Sequence, residues 1–143
     1  GRRRPQILSM TLDELFDDMR ARVRDQIRGG ADIGSSASGR YQYIRSTLES
    51  VVKSMGLDTS KEVFSPELQD EIAVYHLRRD HGMDRWLDGD MSDERFLNKL
   101  AGTWAGIPKT SGRSNFAGDR IGNKAGITSA SALSALSDIR GLA

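Results

Sequence analysis

The chain has 143 residues, with 21 Lys and Arg against 20 Asp and Glu, a formal net charge of +1 and no cysteine. This balance excludes a uniformly basic polyanion-binding protein and an acidic disordered tail. The lack of cysteine excludes disulfides, thiolate metal sites and a cysteine nucleophile. The length suffices for one compact domain, and because no stretch approaches the roughly 18 apolar residues of a membrane span, we expect none.

The first predicted helix runs from Thr11 to Arg28. Its apolar residues recur at steps of three and four and form one stripe: Leu12, Leu15, Phe16, Met19, Val23 and Ile27. Thr11 and Glu14 have the spacing of a capping box, in which each side chain accepts a hydrogen bond from a free backbone N–H. The two glycines that follow, Gly29 and Gly30, are predicted to end the helix.

A loop of small residues, 30–39, separates this helix from the next two. Ser46 and Glu49 indicate a second capping box, at the start of a short helix that Gly56 ends. Ser65-Pro66 predicts a third helix, because proline fits the first helical turn, where its missing N–H costs nothing. This third helix should end near His81-Gly82.

The rest of the chain also shows helical spacing. Residues 83–88 predict one turn of helix, and Ser92 begins a further helix that Pro108 ends. Trp104 continues the stripe of this helix, so we expect it in the core. Residues 109–126 are rich in Gly, Ser and Asn and are predicted to be irregular, and Thr128 then caps a last helix whose apolar residues are Leu133, Leu136 and Ile139. Since no period-two alternation occurs, we predict an all-α protein, or a mainly α protein with a minor β element.

Several kinds of chemistry find little support in the residues. His76 and His81 are the only histidines, and a spacing of five places them about 140° apart on a helix, which does not suit a shared ion. We expect one to be partly buried and the other to lie near a helix end, and we predict no metal and no cofactor. The sequence lacks a Gly-x-Ser-x-Gly nucleophile motif and the Gly-Lys-Ser/Thr ending of a P-loop.

Nucleic-acid binding would have to rest on Arg2-Arg3-Arg4 and on the arginines of the first helix. Five acidic residues lie on that helix and offset its positive charge: Asp13, Glu14, Asp17, Asp18 and Asp25. A solvated face of mixed charge is the more ordinary interpretation of such a segment. We therefore expect no nucleic-acid partner.

Four ordered blocks resemble a known family. They are Arg4-Pro5 with Leu8 and Met10-Thr11-Leu12, Gly39-Arg40-Tyr41-Gln42, Phe64-Ser65-Pro66 with Gln69-Asp70, and Trp104-Ala105-Gly106-Ile107-Pro108. Together they resemble the lysozyme-like muramidases of bacteriophages and are similar in pattern to the lambda-type endolysin, a lytic transglycosylase. The resemblance covers Pro5 to Gly118. It implies a lysozyme-like fold over residues 1–126, followed by a Ser/Ala-rich helix or linker at 127–143.

The resemblance implies cleavage of the β-1,4 bond in peptidoglycan glycan strands, without a cofactor. Such cleavage needs a protonated carboxylic acid beside the leaving oxygen, and a lytic transglycosylase completes the reaction with the sugar's own 6-hydroxyl. Carried over residue by residue, the substrate-binding segment is Gly39, Arg40, Tyr41 and Gln42. Gly39 would allow close approach of the backbone to the glycan, while Tyr41 and Gln42 would offer ring stacking and hydrogen bonds. The structural alternative is that Gly39 serves a turn and Tyr41 packs in the core.

The catalytic Glu of the family has no counterpart in this chain. In the family it precedes a segment similar to Arg4-Pro5, so we expect it before Gly1 and interpret the chain as a fragment that lacks its N-terminal catalytic segment. Glu14 is already explained as the capping partner of Thr11. Asp32 is the best remaining carboxylate, although an Asp in such a loop more often serves a turn.

A second function belongs to a different class. The chain would then be a catalytically silent virion or tail protein that keeps the lysozyme-like fold as a structural or glycan-docking module, with other virion proteins as partners. The two functions place the protein in the phage virion or in the host cytoplasm or periplasm, and both direct it to the bacterial cell wall.

Overall fold

The computed structural model describes residues 7–30, 36–104, 107, 109 and 128–141. This part of the chain contains six α-helices: α1 (Leu12–Arg28), α2 (Arg45–Met55), α3 (Pro66–Asp80), α4 (Met83–Leu87), α5 (Asp93–Ala101) and α6 (Ser129–Gly141). Its only β pairing consists of two isolated bridges, Thr11 with Val63 and Ser38 with Tyr43. The prediction of an all-α protein with at most a minor β element is therefore confirmed.

The chain divides into two compact units, Gly1–His76 and Leu77–Ala143. In the first unit, α1 begins at the predicted capping box: the Glu14 carboxylate accepts from the Thr11 N–H at 2.9 Å, and Thr11 Oγ1 accepts from the Glu14 N–H at 3.3 Å. The first four residues of the apolar stripe are buried, whereas Ile27 is 49% exposed. The stripe therefore continues beyond the part of α1 that packs in the core.

The capping box predicted for Ser46 and Glu49 is wrong. Helix α2 begins two residues earlier than such a box requires, because its N-cap is Ile44, which makes no side-chain cap. The N–H of Arg45 is bound instead by Ser36 Oγ at 2.8 Å. The Glu49 carboxylate is held by the guanidinium groups of Arg45 and Arg20, at 3.0 and 3.4 Å, because a charged partner outcompetes a neutral backbone N–H for a carboxylate.

Helix α3 begins as predicted at Ser65-Pro66, where Ser65 Oγ accepts from the Leu68 N–H at 3.1 Å. Its buried residues are Leu68, Gln69, Ile72, Ala73 and His76. The segment before α3 pairs with the start of α1, since Phe64 N donates to Met10 O and Leu12 N donates to Glu62 O, each at 2.9 Å. This pairing fixes Phe64 beneath the site described below.

Both histidines are 3% exposed, so the expectation of a partly buried His is wrong. His76 Nδ1 lies 2.8 Å from the Tyr43 hydroxyl. His81 follows the end of α3, as expected for one of the pair, and its Nε2 lies 2.9 Å from Thr103 Oγ1. Burial is tolerated because each ring has a hydrogen-bond partner.

In the second unit, α5 ends at Ala101 with Gly102 as its C-cap, so the prediction that it extends to Pro108 is wrong. Glycine has a low helix propensity and ends the helix before the proline is reached. Trp104 lies outside α5 but still packs on the core of this unit, and it stacks on His81 with ring centroids 5.3 Å apart. That core consists of Trp86, Met91, Phe96, Leu97, Leu100, Ala132 and Leu136.

Thr128 caps α6, because its Oγ1 accepts from the Ser131 N–H at 3.1 Å. Ala132 and Leu136 are buried in the core of this unit, whereas Ile139, which was predicted as an apolar residue of this helix, is 52% exposed. Arg140 forms an ion pair with Asp93 at 2.9 Å. The boundary at 126 stays a prediction, and the irregular segment predicted for 109–126 lies outside the described residues except for Lys109.

No helix within the described ranges is both long and apolar enough to cross a lipid bilayer.

Candidate substrate-binding site

The four predicted substrate-binding residues form the turn of a small hairpin, which we call the 39–42 turn. Ser38 and Tyr43 pair on either side of it, with N–H to carbonyl distances of 3.0 and 3.1 Å. Within the turn, the backbone N–H and side-chain Nε2 of Gln42 both donate to the Gly39 carbonyl, at 3.3 and 2.7 Å. The sequence block therefore corresponds to one structural unit.

Gly39 is fixed by close packing on its own protein. Its φ of 78° lies in the left-handed region that favours glycine. A Cβ at this position would lie 2.6 Å from Gln69 Oε1 and 2.8 Å from the Phe64 ring. Because there is no room for a side chain, the turn alone accounts for a glycine here.

Gln69 on α3 lies directly beneath the turn and is 3% exposed. Its Oε1 accepts from the Arg40 N–H at 2.8 Å, and its Nε2 donates to the Phe64 carbonyl at 3.2 Å. The side chain thus joins two of the blocks that carried the family resemblance. Sequence reasoning gave Gln69 no role, although its place in one of those blocks was an available signal.

Asp70 holds the side chains of the turn. The Tyr41 hydroxyl donates to Asp70 Oδ1 at 2.7 Å, and Arg40 Nη1 donates to the same oxygen at 3.1 Å. The hydrogen bond to Asp70, with burial and the carboxylate charge, raises the pKa of Tyr41. Tyr41 is only half-buried, so its ring is partly accessible while its polar end is anchored. Tyr41 therefore does not pack in the core, as the structural alternative required.

Gln42 is exposed and has φ 51°, the only described non-glycine residue with positive φ. Its contact with the Gly39 carbonyl uses one N–H of the side-chain amide, and the described part of the chain supplies no further partner for that amide. Strained backbone of this kind persists only where the surrounding contacts enforce it, and it is concentrated at functional sites. The amide is thus presented to solvent in one fixed orientation.

The base of the hairpin is tied to α1 and α3. Arg22 on α1 donates to Ser38 Oγ and to the Ala37 carbonyl, and its Nε donates to Asp18 at 2.8 Å. On the other side, the buried Tyr43 hydroxyl bonds to His76. These contacts hold the 39–42 turn from below on both sides.

Of the two carboxylates weighed from the sequence, Glu14 is described, and it caps α1. In Glu14, the hydrogen bonds from the Thr11 backbone N–H and hydroxyl lower the pKa of the carboxyl, which is the opposite of what a general acid needs. Asp32, the basic cluster Arg2-Arg3-Arg4 and most of the block after Trp104 lie outside the described residues. Over the ranges that are described, no group of three or more His, Cys, Asp or Glu side chains is placed to hold a metal ion.

A family model described as endolysin matches residues 6–121, which include the whole hairpin and the part of α3 beneath it. No curated protein and no solved structure gives a match. The match defines the chain as a cell-wall-degrading enzyme domain of bacteriophage type. The chain belongs to the endolysin family, and the resemblance to lysozyme-like muramidases is confirmed.

Proposed function

We propose that this domain cleaves the β-1,4 glycosidic bond of peptidoglycan and that the 39–42 turn binds the glycan strand. The observation that carries the proposal is the presentation of Tyr41 and Gln42 on a turn that the protein holds from beneath through Gln69 and Asp70. Binding groups fixed by their own packing lose little conformational freedom when a ligand binds.

The side chains suit a sugar ligand. A pyranose ring has an apolar face of C–H groups that packs on an aromatic ring, and Tyr41 offers a ring whose hydroxyl is already bound to Asp70. The Gln42 amide can donate to and accept from sugar hydroxyls or N-acetyl groups. Arg40 is paired with Asp70, which leaves its remaining guanidinium N–H groups for oxygen atoms of the ligand.

The proposed chemistry needs a protonated carboxylic acid at the leaving oxygen and stabilisation of an oxocarbenium-like transition state. Glu14 does not supply this acid, because its carboxylate accepts hydrogen bonds from the Thr11 N–H and the Thr11 hydroxyl, and these favour the ionised form. Following the family resemblance, we propose the transglycosylase course, in which the 6-hydroxyl of the muramic acid attacks its own anomeric carbon and water takes no part.

The test is analysis of the products released from purified peptidoglycan by the full gene product. Mass spectrometry is expected to find muropeptides that end in 1,6-anhydromuramic acid. Products with a reducing muramic acid end would contradict the transglycosylase course and leave a hydrolase.

The same experiment separates the enzyme from a silent docking protein. If the protein sediments with insoluble peptidoglycan but releases no muropeptides, the proposed cleavage is contradicted and the glycan-docking function is supported. If it neither binds nor cleaves, both functions are contradicted. A matched sample with heat-denatured protein controls for hydrolases that remain bound to the purified peptidoglycan.

A further inference from the structure

We propose that Gln69 is the positioning residue of the glycan-binding turn: its buried amide fixes the Arg40 peptide and thereby orients Tyr41 and Gln42 toward the glycan. This inference rests on the proposed function of the 39–42 turn. Gln69 itself is too deeply buried to contact a ligand, so it acts through the turn.

The burial of a glutamine at this position is the first argument. An amide removed from water is costly unless both its donor and its acceptor are bonded. Gln69 satisfies both, with the Arg40 N–H on one side and the Phe64 carbonyl on the other. Leucine would fill a similar volume without this requirement, so the hydrogen bonds account for the choice of glutamine.

The second argument concerns what Gln69 connects. Phe64 is fixed, because its N–H donates to Met10 O at 2.9 Å and its ring is 1% exposed. Gln69 is fixed at the first turn of α3, where its own N–H donates to Ser65 O at 3.0 Å. The Gln69 side chain therefore holds the Arg40 N–H, in the middle of the turn, in a fixed position relative to Phe64 and α3.

The third argument is the closeness of the contact. A Cβ on residue 39 would lie only 2.6 Å from Gln69 Oε1, so the turn rests directly on the amide. Without that oxygen, the Arg40 N–H would turn to water. Within the turn, residues 39–42 would then be held by their own hydrogen bonds and by the exposed contacts to Asp70, while Arg22 and His76 would still anchor the flanking residues.

The test compares two variants of the full gene product. Gln69→Leu keeps the volume but removes both hydrogen bonds. Leu68→Ala is the matched control, because Leu68 is buried on the neighbouring position of α3 and its truncation destabilises the same helix without touching the Arg40 N–H. All measurements are made well below the melting temperature of both variants.

Two readouts are required. In Gln69→Leu, hydrogen exchange of the Arg40 amide, followed by NMR, is expected to accelerate by about tenfold or more, because the amide loses its buried acceptor. Sedimentation with insoluble peptidoglycan is expected to show roughly tenfold weaker binding. The free energy of one hydrogen bond, here the bond that orders the turn, corresponds to about this change in affinity. Leu68→Ala should melt at a lower temperature yet bind glycan within about twofold of the wild type.

The inference is overturned if Gln69→Leu binds like the wild type, or if Leu68→Ala loses as much binding as Gln69→Leu. Tyr41→Ala separates this failure from failure of the proposed function. If Tyr41→Ala binds poorly while Gln69→Leu binds normally, only the positioning role is wrong. If Tyr41→Ala binds like the wild type, the turn is not the glycan site and the proposed function of these residues is wrong.

Discussion

The backbone of Gln42 lies in the left-handed region, at φ 51°. A residue with a Cβ is disfavoured there by about 1–2 kcal/mol, and glycine is not. We therefore predict that Gln42→Gly is more stable than Gln42→Ala by about 1 kcal/mol, measured by urea denaturation. Both variants should lose glycan cleavage, because both lack the side-chain amide.

Comparing Gln42→Gly with Gln42→Ala separates the effect of backbone strain on stability from the effect of the lost amide on glycan binding. Ser46→Ala is a suitable control, since Ser46 is an exposed polar residue close to the turn. Equal stability of the two Gln42 variants would show that the turn relaxes when the side chain is removed. Wild-type turnover in either of them would refute a role for the amide in glycan binding.

Tyr41 provides a prediction for pH dependence. The hydrogen bond to Asp70 raises the pKa of the phenol above its ordinary value of 10.0. Because the pKa of Tyr41 is higher in the folded state, the contact with Asp70 stabilises the fold below pH 10. This stabilisation is lost as the pH rises through the folded-state pKa. In Asp70→Asn, we expect the pKa of Tyr41 to fall toward 10.0, because the hydrogen bond to the carboxylate and the carboxylate charge are both lost.

The measurement is the titration of the Tyr41 ring signals by NMR in the wild type and in Asp70→Asn. Asp13→Asn is the control, because it removes an exposed carboxylate from α1 and should leave the Tyr41 titration unchanged. An identical Tyr41 titration in Asp70→Asn and the wild type would mean that the contact is absent in solution.

At the scale of the element, the hairpin depends on close packing at Gly39. Gly39→Ala introduces a Cβ against Gln69 and Phe64 and imposes a positive φ on a residue that disfavours it. Overpacking and the left-handed backbone together should destabilise the first unit by about 3 kcal/mol, measured by thermal unfolding. Gly30→Ala is an informative control, since Gly30 also has positive φ but a Cβ there meets no atom within 4 Å.

The control isolates the steric contribution. If the two alanine variants lose the same stability, the backbone conformation alone explains the effect and the contact with Gln69 and Phe64 is not tight. A larger loss for Gly39→Ala, by about 1–3 kcal/mol, is the expected result.

Helix α6 provides a second prediction at this scale. Leu136 is 9% exposed and belongs to the core of the second unit together with α5. Leu136→Ala should therefore cost about 2–3 kcal/mol of unfolding free energy, whereas Ile139→Ala, at a 52% exposed position on the same helix, should cost much less. Equal effects of the two substitutions would indicate that α6 does not pack on α5 in solution.

At the scale of the whole molecule, local signals in the sequence predicted most of the helices. Thr11, Ser65 and Thr128 act at the predicted helix starts because a cap involves residues only three positions apart. The box at Ser46 and Glu49 failed because the Glu49 carboxylate is held by Arg45 and also by Arg20, which lies 29 residues away. A single sequence does not reveal such a distant partner.

In the candidate site, too, the residues that are close in sequence were predicted and their distant partners were not. The turn residues Gly39 to Gln42 were named from the family resemblance, as one contiguous block. The residues that hold them, Gln69 and Asp70, lie about 29 positions further along the chain. Periodicity and capping rules describe contacts within one helix, so the support beneath the turn emerged only with the fold.

The aromatic residues are distributed unevenly between the two units. All three tyrosines, Tyr41, Tyr43 and Tyr75, belong to Gly1–His76, and both tryptophans, Trp86 and Trp104, belong to Leu77–Ala143. Trp86 stacks on Phe96 and Trp104 on His81, so indole fluorescence reports the core of the second unit. Tyrosine ring signals report the first unit, with the candidate site. The protein thus carries a separate native spectroscopic probe for each half, and the unfolding of each can be followed without any label.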